Sequence, residues 1–188
     1  MPAAKRIPRP FFLALFFFIL GLYLLTLTHV HTFDALSYVL SVERKPWTEV
    51  FHPHHLAYGP LGALALAAGR SLGYTGGAAL PMQLINGIAG AAGTALFARL
   101  IWRHTDRLDL AIVLGLLLAG SYAYWYYAVE IEVYTVAALL LIACLNLLVD
   151  PKPLTLSRMA TLRLAQGGAV LFHQTNALLC VPVVEGLD

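Results

Sequence analysis

Apolar positions in this chain come in long runs, over residues 11–30, 80–102, 110–127, 133–149 and 164–184, parted by short polar connectors. A helix rises about 1.5 Å per residue, so runs of this length can cross a hydrocarbon core ~30 Å thick. The pattern predicts an all-α, polytopic transmembrane helical bundle with about five hydrophobic segments, built as one membrane domain over residues 1–188. Within it, residues 1–9 form a cytoplasmic tail, 10–30 the first transmembrane helix, 31–60 an outer loop and 61–188 the remaining helices. Residues 56–73 are ambiguous. They are rich in Gly and Ala, bounded by Gly59-Pro60 and Arg70, and followed by the breaker-rich Gly73-Tyr-Thr-Gly-Gly.

The loop at 31–60 carries its own pattern. Residues 34–44 place Leu36, Val39 and Leu40 on one side of a short helix suited to the membrane surface. Pro46 and Trp47 break that helix, and Trp47 and Phe51 are placed to anchor the segment at headgroup level. Farther along, Gly87, Gly90, Ala91 and Gly93 offer small surfaces for close helix contact. The cluster Tyr122-Ala-Tyr-Trp-Tyr-Tyr reads as an interfacial belt.

Composition sharpens the class. Hydrophobic residues make up 60% of the chain, charged residues 12%, and the mean hydropathy is +0.75. Soluble domains are charged at about a quarter of their positions, so the balance excludes one. The net charge of +2 sits in short basic clusters beside apolar runs and points to no nucleic-acid partner. Lys5, Arg6 and Arg9 ahead of the first run place the amino terminus inside. That run ends in Thr26-Leu-Thr-His-Val-His without a small-x-small cleavage site, so it reads as an anchor. Cys144 and Cys180 lie within apolar runs and imply no disulfide.

Topology follows from parity. If residues 56–73 span, the basic groups at 99–107 and those at Lys152, Arg158 and Arg163 fall on the outer side, against the positive-inside tendency. If the segment stays on the outer side, or enters and returns, both basic connectors become cytoplasmic. Glu130 and Glu132 then emerge beside the first loop. One assumption repairs two connectors, and this arrangement is favoured.

Acids at such boundaries are informative, because a carboxylate at the centre of a span costs roughly 2.5–3.5 kcal/mol. Asp34, Glu43 and Glu49 lie in the first loop with His52, His54 and His55. On a helix the i, i+2 spacing of Glu130 and Glu132 puts their side chains about 200° apart, so both share one pocket only if a helix starts there. His29, His31, His52, His54 and His55 could converge on a metal, yet no familiar ligand spacing joins them, and no metal ligand is assigned. His173 reads as a hydrogen-bonding residue inside the last apolar run.

Four motifs in order carry a resemblance: Asp34 after the first span, His54-His-Leu-Ala-Tyr58, Gln83-Leu-Ile-Asn86, and Trp125-Tyr-Tyr-Ala-Val-Glu-Ile-Glu-Val-Tyr134. Together they resemble membrane glycosyltransferases of the GT-C superfamily, nearest to the protein O-mannosyltransferase-like group and its bacterial relatives. The resemblance implies an enzyme of the bacterial inner (plasma) membrane that takes a sugar from a polyprenyl-phosphate-linked donor and passes it to an acceptor hydroxyl at the outer face. It implies catalytic roles for Asp34, the candidate base, and Glu132. It implies substrate-binding roles for His54, His55, Tyr58, Glu130 and Tyr134. Here His52-Pro-His-His stands where the mannosyltransferases have His-Pro-Pro. The cofactor stays open, a divalent cation being possible, and the partners implied are membrane lipid, the polyprenyl-linked sugar and other membrane subunits.

Such chemistry needs a carboxylate within about 2.6–3.2 Å of the acceptor proton and donors for the departing phosphate. Enzymes of this group carry more spans, so the chain reads as an amino-terminal part or a short homologue. Two alternatives remain. One is a small non-catalytic subunit of a larger complex built on the same scaffold, and the other is a His-ligated metal or haem membrane protein. The favoured topology is checked by labelling single cysteines with a membrane-impermeant maleimide in a background lacking native thiols: Thr75→Cys should react from outside and Thr105→Cys only from inside.

Overall fold

The computed structural model describes residues 9–150, 153 and 155–179. Among them are eight α-helices and no β-strand: α1 (Arg9–Leu25), α2 (Phe33–Arg44), α3 (Tyr58–Ser71), α4 (Ala79–Thr105), α5 (Leu108–Gly120), α6 (Tyr122–Val129), α7 (Tyr134–Leu148) and α8 (Leu156–Phe172). Short 3-10 turns lie at Trp47–Glu49 and Gln174–Leu179. Lys5, Arg6, Lys152, Cys180 and the end of the last apolar run lie outside the described residues.

Local chemistry sets the boundaries. Thr32 caps α2, its hydroxyl accepting from the Ala35 amide at 3.1 Å, with Asp34 in the first turn and Arg44 in the last to complement the helix dipole. Thr155 caps α8 in the same way. Asp106 ends α4 in the left-handed conformation (φ 59°) and returns its amide to the Trp102 carbonyl at 2.8 Å.

The helix α4 is the axis. It packs against α1, α3, α5, α6 and α7, and its small residues let neighbours approach closely. At Gly90 the ring of Tyr23 on α1 and the methyl of Ala128 on α6 press against its backbone. Two hydroxyls then lock this contact: Tyr23 donates to the Ala119 carbonyl and Tyr124 to the Gly90 carbonyl, both at 3.0 Å.

The helix directions sort the charges. Phe12 on α1 meets Trp102 near the end of α4, so the two run antiparallel. At that end Arg103 pairs with Asp150 at 2.9 Å, and Arg158 approaches the same carboxylate at 3.8 Å. Asn146 of α7 donates to the Leu96 carbonyl there. At the other end lie Asp34, Glu130 and Glu132 with the histidines of the first loop. Helix α3 begins at that level, with Tyr58 bonded to Asn86, then passes Met82 at Gly62 and joins Ala78 in an apolar cluster through Leu66. It therefore leads away from the basic end.

Several sequence expectations change. Among the described residues, α4 alone is sufficient by length and composition to cross a membrane, and α5 with α6 would make a second span if the pair, bent by 63°, counts as one. Helices α1 and α7 are apolar but shorter. The first run stops being helical at Leu25, where Thr26 turns its hydroxyl back to the Leu22 carbonyl. The run at 110–127 is broken at Ser121, whose extended backbone ends α5. The last run leaves the α-helix at His173. The side of α1 away from α4 is bare: Leu13, Phe17 and Phe18 are 58%, 60% and 57% exposed.

A methyl at Gly90 would sit 2.8 Å from the Ala128 Cβ and 3.0 Å from the Tyr23 ring, whereas one at Gly21 would meet nothing within 4 Å. Gly90→Ala should cost about 1–3 kcal/mol by overpacking, and Gly21→Ala should be neutral or up to about 1 kcal/mol stabilising. Thermal unfolding of the two variants in detergent checks the contrast.

Candidate functional site

The site grows from a break in the helices. After Val129 the chain leaves α6, with Glu130 extended at φ −108° and ψ 176°, and α7 begins only at Tyr134. Carbonyls at such a break lose their helical donors, and buried ones need others. Gln83 and Asn86, three residues apart on one face of α4, provide them. The Gln83 amide donates to the Val129 carbonyl at 3.0 Å and the Thr28 carbonyl at 2.8 Å. The Asn86 amide donates to the Glu130 and Glu132 carbonyls, each at 2.7 Å. Asn86 also accepts from the buried Tyr58 hydroxyl at 3.3 Å.

The break corrects the helical reading of the two glutamates. Glu130 leaves the helix in extended backbone, the chain bends through Ile131, and both carboxylates meet the chain just before α2. Glu130 Oε1 lies 2.8 Å from His31 Nδ1 and accepts from the Ile131 amide at 2.8 Å. Its second oxygen is buried with no hydrogen-bond partner. The Thr32 hydroxyl donates to Glu132 at 3.2 Å while it caps α2. The same hydroxyl therefore ties the acid to the helix that carries Asp34.

Electrostatics separates the three acids. Asp34 is exposed, Glu130 wholly buried and Glu132 nearly so. Burial first, and then the charges of Asp34 and Glu130, push the Glu132 carboxyl up to about 7 against the pull of the Thr32 hydrogen bond. Burial, followed by the charges of Glu132 and Asp34, likewise holds the Tyr38 hydroxyl well above its ordinary value.

The imidazoles divide. His29 is exposed, His31 belongs to Glu130, and His52, His54 and His55 gather elsewhere, so the five do not converge. Their fourth member is His173, at the carboxyl end of α8, with its ring 5.2 Å from those of His55 and Tyr134. The loop docks on this helix end. His55 Nδ1 sits 3.0 Å from the Phe172 carbonyl, the Ala57 amide donates to Leu171, and Gln174 donates to the Pro53 carbonyl at 2.8 Å. Burial, with His173, His52 and His54 adding to it, lowers the His55 pKa. Among the described residues no group of three His, Cys, Asp or Glu side chains is arranged to hold a metal ion, a divalent cation included.

Of the residues singled out in sequence, Asp34, Glu132, Tyr134, His54 and His55 border one surface region. Glu130 and Tyr58 lie beneath it, with Oε1 of Glu130 engaged by His31 and the Tyr58 hydroxyl by Asn86. From sequence, His173 reads only as a hydrogen-bonding residue and Gln83 and Asn86 only as part of a motif, yet all three serve this region. His173 was signalled by the polar quartet His173-Gln-Thr-Asn inside an apolar run, and Gln83 and Asn86 by two amides within a span. Beside the imidazoles runs an apolar groove of about 510 Å³ between Phe51, Leu56, Leu61, Leu64, Leu171 and Phe172. Comparison with protein families, curated proteins and solved structures gives no match.

The sign of the Glu132 shift has a consequence for stability. Its carboxyl titrates near 7 in the fold and near ~4.3 when unfolded, so the native state holds the extra proton. Its contribution is most favourable below the unfolded value and is lost as pH rises to about 7. Glu132→Gln should therefore gain stability relative to the native chain as pH rises from about 4.5 to 7, and level off above. Thermal unfolding of both proteins in detergent at pH 5, 6, 7 and 8 checks this.

Proposed function

We propose that this chain is a membrane glycosyltransferase of GT-C type, or the amino-terminal part of one. It moves a sugar from a polyprenyl-phosphate-linked donor to an acceptor hydroxyl at the outer face of a bacterial inner membrane. In this reading α4, the bent pair α5 and α6, and the shorter α1, α7 and α8 lie in the bilayer with the amino terminus inside. Helices α2 and α3 stay on the outer side. The bare apolar side of α1 supports immersion, because surface patches of that kind cost free energy in water.

One juxtaposition carries the reaction class. Asp34 and Glu132 act on Tyr38, whose ring meets those of His52 and His55, and an apolar groove opens beside the same imidazoles. A lipid-linked donor needs those three parts together: an apolar channel for its chain, donors at its phosphate, and a base at the sugar. The acceptor oxygen would attack the anomeric carbon as the bond from that carbon to phosphate oxygen breaks. The acceptor proton passes to a carboxylate, and polyprenyl phosphate leaves.

Asp34 is the proposed base because it is the exposed member of the pair. Glu132 sits behind it, and its titration near neutrality modulates the field that Asp34 feels. His55 gives its Nδ1 hydrogen to the Phe172 carbonyl and can donate to a phosphate from Nε2 only as the imidazolium, a form that the anion itself favours. His54, held by Gln174 at 3.4 Å, and His173 complete the donor set. Glu130 and Tyr58 position the floor.

The test is sugar transfer by the full chain in proteoliposomes, using a radiolabelled polyprenyl-phosphate sugar and a hydroxyl acceptor. Asp34→Asn should lower transfer by about 10²–10⁴-fold. Glu132→Gln should remove an inflection near pH 7 from the rate profile. Undiminished transfer by Asp34→Asn would sink the assignment of the base.

A further inference from the structure

A second groove lies at the opposite end of the molecule, between α1 and α4. It has about 510 Å³, its walls are Phe12, Leu13, Phe16, Ala92, Ala95 and Leu96, and Arg9 and Arg99 stand at its mouth. The charges there are unbalanced. Arg103, the next cation along α4, is paired with Asp150, which Arg158 also approaches, so that acid is already engaged twice, and Asp109 is paired with Arg107. Arg9 and Arg99 have no carboxylate partner among the described residues, and no acid lines the groove.

Arg103 and Arg9 both repel Arg99, with Asp150 pulling the other way, and Arg99 is half-buried, where repulsion is poorly screened. The arrangement persists at lowest free energy with an anion between Arg9 and Arg99, and guanidinium groups suit phosphate through paired N–H donors. Below the cations the groove is wholly apolar, as for a hydrocarbon chain and unlike a site for a free ion. Leu13 at its edge is 58% exposed, so the channel opens sideways along the bare side of α1.

We propose that this groove binds one anionic phospholipid of the surrounding bilayer, its phosphate between Arg9 and Arg99 and an acyl chain along Phe12, Phe16 and Ala95. The inference rests on the membrane placement proposed above and not on the sugar-transfer reaction. It gives the basic end a positive ligand preference, so that anionic lipid seats α1 against α4 at the level where Phe12 meets Trp102.

Native mass spectrometry of the full chain, released from micelles doped with phosphatidylglycerol or phosphatidylcholine of identical acyl chains, tests it. The native chain should retain the anionic lipid at least ten-fold more than the zwitterionic one. Arg9→Gln with Arg99→Gln should bring the two to parity, Arg9→Lys with Arg99→Lys should keep most of the preference, and Ala92→Phe, which fills the groove, should lower retention of both. Equal retention by the native chain would overturn the site even if the glutamine variant does not fold. So would an unchanged preference in that variant, displacement of the lipid by glycerol phosphate as effectively as by phosphatidylglycerol, or a dimer that excludes lipid. Recovery of the chain in the aqueous fraction after alkaline carbonate washing would instead overturn the membrane placement.

Discussion

Four residues between α6 and α7 lie outside any helix, their buried carbonyls cannot be left without donors, and the end of the molecule that carries Glu130 and Glu132 is built around that constraint. A buried carbonyl with no partner costs about 1–3 kcal/mol, and more where water is excluded. Here the carbonyls of Val129, Glu130 and Glu132 take amide hydrogens from Gln83 and Asn86 of α4. The central helix is thus both a packing axis and a hydrogen-bonding template. Its small residues below Asn86 admit α1 and α6, and its two amides above hold the unwound chain in place.

That unwound chain is what brings the two carboxylates together. On a continuous helix Glu130 and Glu132 would diverge, and burying both would carry the full desolvation penalty of two separate charges. The bend between the helices turns them together toward residues 31 and 32, where an imidazole takes one and a hydroxyl the other. The resulting hierarchy is chemical. Glu130 is held by His31 and the Ile131 amide, Glu132 titrates near neutrality, and Asp34 is open to solvent. Because Thr32 both caps α2 and bonds Glu132, the protonation of that acid is linked to the placement of Asp34.

The two ends of the bundle have opposite electrostatic character, which an antiparallel stack of apolar helices permits at little cost. Basic connectors and the Asp150 network collect at one end, Asp34, Glu130, Glu132 and most of the imidazoles at the other. Between them lie mostly apolar side chains, with the Tyr23 and Tyr124 hydroxyls directed at backbone carbonyls. Each end also opens on an apolar groove, so a charged group and a hydrocarbon surface adjoin twice in one small chain.

Much of this was legible in the residues themselves. Long apolar runs dictate helices, because a chain with so few charges must satisfy its backbone internally. The Gly and Ala positions of α4 mark it as the element others pack against, and the scarcity of acids made Asp34, Glu130 and Glu132 conspicuous. Spacing could not show that Glu130 and Glu132 converge, since that depends on a helix break held by amides more than forty residues earlier in the chain. Nor could it bring His173 to His55, because that contact is made where the end of α8 meets a loop nearly 120 residues away in sequence. Periodicity is a local property and fixes which residues are apolar, small or charged. Which polar groups meet is a matter of long-range partners, and only the packed structure decides it.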